Sequence, residues 1–188
     1  MKCVYLVFVL SLLVPNIFSQ SWLQLADYGA TARDDGSSFV IDDKAYCFSG
    51  LENGWQCTGN GFVFDGVSET WSPMASLSIG KERQYATGFA YNNKGYLLGG
   101  LKFDNLCLSD FLEYSPISNT WVSLPNFLGA GRQGMSNFII KNKVYIIGGR
   151  LADNTTINEV WEYDFTTTTW VQKSNLPTAM WRGSSFCY

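Results

Sequence analysis

The chain has 188 residues, a formal net charge of −3, 46% hydrophobic and 16% aromatic residues, five cysteines and no histidine. Acidic and basic residues are scattered rather than blocked, which argues against nucleic acid as a partner. The missing imidazole removes the commonest ligand of zinc, copper and non-haem iron, and no metal or cofactor is expected.

The first segment, Met1-Lys2, an apolar run from Val4 to Val14, Pro15 and a small residue at Ser19, reads as a secretory signal peptide over residues 1–19, too short to span a bilayer. Its removal takes away Lys2 and Cys3 and makes the mature chain one unit more negative. No later run is apolar enough to cross a membrane, so residues 20–188 are expected to be secreted or extracellular, or periplasmic in a bacterium. Cys47, Cys57, Cys107 and Cys187 remain, an even number in a chain that meets an oxidising compartment, which predicts disulfides. Cys57 with Cys107 and Cys47 with Cys187 is one pairing, Cys47 with Cys57 in a short loop is another, and both stay open because a bridge needs Cα atoms within roughly 7 Å.

Ser21-Trp22-Leu23-Gln24-Leu25 resembles Thr120-Trp121-Val122-Ser123-Leu124 and is expected to be a lone outer strand. From there the chain repeats. Arg33, Arg83, Arg132 and Arg182 step by 50, 49 and 50; Gly50, Gly100 and Gly149 and the tryptophans Trp71, Trp121 and Trp170 step by 50 and 49. A shared period of about fifty residues marks propeller-type repeats. Within each copy a strand a ends in a tight hairpin at Asp42-Asp43-Lys44, Asn92-Asn93-Lys94 or Lys141-Asn142-Lys143, where Asn and Asp tolerate left-handed backbone. Strand b carries Tyr46, Tyr96 or Tyr145 and ends at Ser49-Gly50, Gly99-Gly100 or Gly148-Gly149; a missing Cβ there lets neighbouring backbones approach. The b-to-c loops, 51–60, 101–109 and 151–158, are polar; strand c holds Phe64, Tyr114 or Tyr163, and strand d centres on the tryptophans. Pro73, Pro125 and Pro177 are expected to stop the outer strands. Three complete four-stranded antiparallel blades result.

Gly131-Arg132, Lys143-Val144-Tyr145-Ile146-Ile147-Gly148-Gly149, Asn158, Trp161-Glu162-Tyr163-Asp164 and Thr169-Trp170 together resemble the kelch repeat, and the other two copies keep most of these positions. The resemblance implies an all-β propeller in which the repeated arginines bond backbone and carboxylate groups near the blade junctions, Tyr145 and Trp170 pack between sheets, and the glycine pairs relieve crowding. Galactose-oxidase-like members hold copper with histidine and tyrosine, which no position here matches. Sialic-acid epimerase-like members would need acid–base groups converging on the propeller mouth, for which Glu52, Asp104 and Asp153 lie in comparable loops.

Loops on a rigid scaffold carry recognition. The function expected is a secreted kelch module that binds a protein or glycan through loops on one face, with Trp55, Phe103 and Asp104 as contacts and no catalysis by this chain alone; the alternative is a fragment of a carbohydrate-processing enzyme of the sialic-acid epimerase-like kind. Asn154-Thr155-Thr156 is a glycosylation sequon in an exposed loop. Closure of a propeller takes four to eight blades, so about three blades in 188 residues predict an incomplete ring.

Overall fold

The computed structural model describes residues 22–184; the expected signal peptide and Cys187 lie outside them. Among the described residues there are fifteen strands and no helix. The first repeat gives β1 (Arg33–Asp34), β2 (Ser37–Ile41), β3 (Lys44–Phe48), β4 (Leu51–Glu52), β5 (Gln56–Cys57), β6 (Gly61–Asp65) and β7 (Thr70–Met74). The second gives β8 (Thr87–Tyr91), β9 (Lys94–Leu98), β10 (Phe111–Ser115) and β11 (Thr120–Leu124), and the third β12 (Ser136–Ile140), β13 (Lys143–Ile147), β14 (Val160–Asp164) and β15 (Thr169–Lys173). Each repeat forms one four-stranded antiparallel sheet whose strands follow chain order, and β1, β4 and β5 make a small separate sheet at one end. The hairpins turn as their residues dictate: Asp42, Asn92, Asn93 and Lys141 have φ between 49° and 57°, the left-handed region that Asn and Asp enter at least cost.

Successive sheets stack face to face because alternate residues of each strand point to opposite faces. Phe39, Tyr46 and Phe48 of the first blade pack against Leu97, Leu112, Tyr114 and Trp121 of the second. The second blade repeats the arrangement on the third: Phe89, Tyr96, Leu98 and Phe111 meet Val144, Ile146, Tyr163 and Trp170. Sizes are exchanged between the two junctions. At the first, Gly95 lies where a Cβ would fall 2.0 Å from the Phe39 ring, and Gly61 where one would fall 2.3 Å from Phe48; at the second the matching positions are Val144 and Phe111, with the smaller Leu98 in place of Phe48. The Phe39 ring of the first blade is therefore seated on Gly95 of the second, while within the first blade Gly61 makes room for Phe48, its partner across β3 and β6, which keeps the junction filled. The indole N–H groups of Trp71 and Trp121 donate to the carbonyls of Ala26 and Ala75 at 3.0 and 2.9 Å, tying each outer strand to the connection that precedes its blade.

Four expectations change. Trp22 is fully exposed and its segment forms no strand, since no described strand lies beside it to supply hydrogen bonds. Pro73 sits inside β7, paired with Phe62; β7 is the edge of its sheet, where a missing N–H leaves nothing unpaired, and only Pro125 and Pro177 follow their strands. Tyr145 stacks on Phe138 at 5.1 Å on the third blade's outer face, directed away from the second blade, so only Trp170 packs between sheets. Arg182 is not the fourth copy of the repeated arginine. Gly50, Gly100 and Gly149 donate their N–H to the carbonyls of Arg83, Arg132 and Met180, so the equivalent place is held by Met180.

The glycine pairs behave as their chemistry requires. Gly99 and Gly100 have φ of +62° and +103°, and Cβ atoms there would meet the Arg132 and Gln84 carbonyls at 2.7 and 2.8 Å. In the first copy Ser49 enters the same left-handed region, φ 58°, and its hydroxyl donates to the Arg83 carbonyl at 3.0 Å. Among the described residues the three blades do not close into a ring.

Candidate functional site

The b-to-c loops and the ends of the d-to-a connections meet at one end of the sheets, where Arg33 pairs with Glu52, Gln84 with Leu101 and Gln133 with Arg150. Beneath them stand the repeated arginines. Arg83 is fully buried and donates to the carbonyls of Lys81 and Gly99 at 2.8 and 2.9 Å and to Asp110 at 2.9 Å. Arg132, 1% exposed, donates to the Gly148 carbonyl and to Glu159. Arg33 uses Asn60 and Glu52 instead. Burial alone would raise the Asp110 and Glu159 carboxyls, but hydrogen bonds and charge outweigh it and hold both below their usual range: Arg83 and then Lys81 act on Asp110, and Trp161 and Arg132 on Glu159. These partners were missed in the sequence, although Asn60, Asp110 and Glu159 keep the repeat step just ahead of strand c. These guanidinium groups are thus bonded to backbone and side-chain acceptors, and a carboxylate faces each cation.

Above this base the loops present the three expected contacts. Trp55 is 74% and Phe103 62% exposed. Trp55 borders a cleft of about 400 Å³ with Arg33, Asp34, Glu52 and Asn53. Phe103 and Asp104 border another of about 370 Å³, together with Gln56 and Cys57 of the first loop, Glu82 and Lys102. Phe103 and Asp104 therefore border one cleft, and Trp55 belongs to a separate one. The three loop carboxylates do not converge: Glu52 pairs with Arg33 at 2.9 Å, Asp104 with Lys102 at 3.7 Å, and Asp153 accepts from the Thr155 N–H at 2.9 Å, a bond that holds its carboxyl low.

Cys47, Cys57 and Cys107 are free thiols. Cys57 and Cys107 do occupy equivalent places, but each thiol points across the loop junction to the next repeat's carbonyl, Leu101 and Arg150, at 3.9 Å. The alignment that suggested a bridge gives each of these two thiols a backbone partner instead.

Nearer the axis is a cluster that the sequence did not announce. Asp35, Tyr85, Gly134 and Arg182 are equivalent positions with φ of 52°, 55°, 61° and 55°, and the N–H of each later copy donates to the carbonyl of the one before. Gly134 has no side chain, and the Trp181 indole fills that space, 2.4 Å from where a Cβ would be. Guanidinium groups lie over the Trp181 ring from Arg150 at 4.7 Å and Arg182 at 4.6 Å; Arg182 also lies 4.1 Å over the Tyr85 ring and bonds Asp35 at 3.0 Å. Burial, then the hydrogen bond and charge of Asp35, raise the Tyr85 phenol, which stays protonated at neutral pH.

A family model for the kelch motif matches residues 131–177, the third repeat, whose arginine, glycine pair and tryptophan occupy the same places in the other two blades. The third repeat is a kelch motif, and the other two blades repeat its pattern. The chain is 28% identical over 121 residues to the Kelch-like protein terF of Aspergillus terreus, covering 59% of this chain and 26% of that one. It is 31% identical over 106 residues to an N-(sulfonatooxy)prop-2-enimidothioate sulfolyase of Thlaspi arvense, covering 53% of this chain and 30% of the relative. The chain thus spans less than a third of either curated relative. The solved structure of YjhT superimposes with a TM-score of 0.75 at 18% identity, over 84% of this chain and 56% of that one, a likeness of fold. No described helix is long and apolar enough to cross a membrane.

Proposed function

We propose that this protein is a secreted kelch module that binds a protein or glycan through the loops at one end of its blades. The observation that carries the reading is the pair of exposed aromatics, Trp55 and Phe103, each at the lip of a cleft walled by carboxylates and amides. A large apolar ring left in water beside fixed acceptors suits a partner that stacks and donates hydroxyl or amide hydrogens. The loops extend from blades whose cores are buried and whose arginine pillars are fully bonded, so binding groups are held on a rigid base. A glycan and protein array probed with the secreted product, followed by Trp55→Ala and Phe103→Ala, tests this. Loss of the selected ligand in either variant with an unchanged melting temperature supports it; a ligand indifferent to both substitutions refutes it.

A second reading, a carbohydrate-processing enzyme, is favoured by the convergence of Asp35, Tyr85 and Arg182 near the axis and by the small-molecule activity printed in the name of the Thlaspi arvense relative. Against it, Tyr85 with a raised pKa is a donor rather than a base at neutral pH, and the loop carboxylates are each engaged elsewhere. Turnover of a sugar by the chain alone, abolished by Asp35→Asn, would establish this reading over the first.

A further inference from the structure

We propose that Asn53 is a site of spontaneous deamidation, which makes the Trp55 cleft more acidic as the protein ages. The chain contains two Asn-Gly dipeptides, Asn53-Gly54 and Asn60-Gly61, and the fold treats them oppositely. Asn53, Gly54 and Trp55 are exposed and form the turn between β4 and β5, whose Glu52 and Gln56 are paired. A Cβ on Gly54 would meet nothing within 4 Å, and its φ is +85°. Among the described residues no hydrogen bond holds the Asn53 side-chain amide or the Gly54 N–H. Asn60, in contrast, accepts from the Arg33 guanidinium on its side-chain oxygen at 2.7 Å and from the Ser49 N–H on its main-chain oxygen at 3.0 Å. Gly61 is buried and paired with Phe48 and Met74 inside its sheet, so neither the Asn60 amide nor the nitrogen that follows it is free to turn toward the other.

The equivalent turns of the other repeats are tied where this one is loose. Trp55, Asn105 and Asn154 occupy the same place, with φ of 61°, 64° and 71°. In the second and third repeats the preceding residue is Asp104 or Asp153, whose carboxylate accepts from the N–H two residues on, of Leu106 or Thr155, at 3.2 and 2.9 Å. The Asn105 and Asn154 N–H groups also close their turns on the Lys102 and Leu151 carbonyls at 3.1 and 3.0 Å. Gly54 stands where those aspartates stand, and among the described residues no bond from Trp55 to Glu52 replaces the second tie. A glycine turn without either restraint samples the backbone conformations that ring closure needs. The Gly54 nitrogen, giving up its proton, attacks Cγ of Asn53; the new N–Cγ bond replaces Cγ–Nδ2, and Nδ2 takes up a proton and leaves as ammonia. Water then opens the five-membered imide at either carbonyl. The balance is amide plus water to carboxylate plus ammonia, with no change of oxidation state. The products are aspartate and isoaspartate, the latter with its main chain running through the former side chain. Either adds a negative charge beside Asp34 and Glu52 at the Trp55 cleft. Arg33, the cation lining that cleft, is already matched by Glu52 at 2.9 Å, so the added charge makes the cleft more repellent to anions.

The test is to age the full chain at mildly alkaline and mildly acidic pH, folded and in urea, and to map amide loss by digestion and tandem mass spectrometry. In the folded chain Asn53 should convert, faster at the alkaline pH, with ammonia released and isoaspartate among the products, while Asn60 stays an amide. In urea both should convert. Asn53→Gln, whose longer side chain would need a larger ring, should lose the reaction at that position, and Gly54→Ala should slow it. Iodide quenching of tryptophan fluorescence reads the charge: it should be weaker in the aged protein and in Asn53→Asp than in the fresh parent, and the difference should vanish on a Trp55→Phe background. Asn53 intact in the folded chain when Asn60 has converted in urea, equal conversion of the two in the folded chain, or iodide quenching indifferent to Asn53→Asp would each overturn the proposal. The bearing of this charge on ligands rests on the proposed loop function, but the mass and quenching readings do not: a ligand indifferent to Trp55→Ala refutes that function and leaves them standing.

Discussion

Replacing Arg83 by methionine is a sharp test of the blade base, because Met180 already stands at the equivalent place in the next copy. In the parent the Arg83 side chain is fully buried and satisfies two carbonyls and the Asp110 carboxylate, whose own side chain is 16% exposed. The substitution leaves Lys81, at 3.0 Å, as the remaining cation beside Asp110. Removing one partner of a buried ion pair costs about 3–5 kcal/mol, and two carbonyls lose their donor as well, partly offset by the apolar methionine. A loss of about 3–5 kcal/mol lowers the melting temperature of a chain of this size by about 6–20 °C, measurable by circular dichroism and by the urea midpoint. Adding Asp110→Leu to Arg83→Met should restore much of the loss, since an apolar pair of similar volume is close to neutral at such sites. A single-variant loss below about 1 kcal/mol, or a double variant less stable than the single one, would refute the assignment of Arg83 as a buried pillar.

The same carboxylates set an acid limit. Asp110 and Glu159 are held below their ordinary values in the folded chain, so their contribution is complete above the unfolded pKa near 4 and is lost as pH falls through the folded values; urea midpoints should drop below pH 4, and less steeply in Arg83→Met, which has already lost one pair. The free thiols should appear as separate unbridged Cys57 and Cys107 peptides in a non-reducing digest and alkylate slowly at neutral pH, since burial, and then nearby carboxylates, raise both; a Cys57–Cys107 linked peptide would contradict the observed geometry. Asn154 lies in an exposed turn with φ 71°, and secreted material from a eukaryotic host should lose mass at its peptide on glycosidase treatment; an unchanged mass would reject the sequon.

Much of the blade was legible because strands, turns and junctions each left a chemical mark at the same period. Tyr46, Tyr96 and Tyr145 lie on strand b, and the tryptophans on strand d, as their spacing predicts. The last arginine misled for a physical reason. Spacing of identical residues placed Arg182 with Arg132, but the backbone hydrogen bonds put Met180 there and Arg182 two residues on, beside the axis. Identity of residue type and identity of place are different properties, and only the ladder of N–H to carbonyl contacts measures the second. The axial cluster was unreadable for a related reason: Asp35, Tyr85, Gly134 and Arg182 share a backbone conformation and no side-chain chemistry, so no repeated letter marks them. Trp55, Phe103 and Asp104 were readable as loop residues from the composition of their loops, whereas their division between two clefts depends on how neighbouring loops lean together.

The exchange of sizes at the two junctions bears on how the chain finds its fold. Repeats of similar sequence invite the wrong pairing, in which a blade docks on one that is not its neighbour. Were the third blade to settle on the first, Val144 would arrive where Gly95 belongs, against the Phe39 ring whose closest atom lies 2.0 Å from the position of a Cβ at that site. The first junction thus admits the second blade and refuses the third, and a glycine serves as a mark of sequence order among otherwise similar units. Gly95→Val would erase that mark, and refolding of the variant should populate a misdocked species detectable as a slow phase absent from the parent.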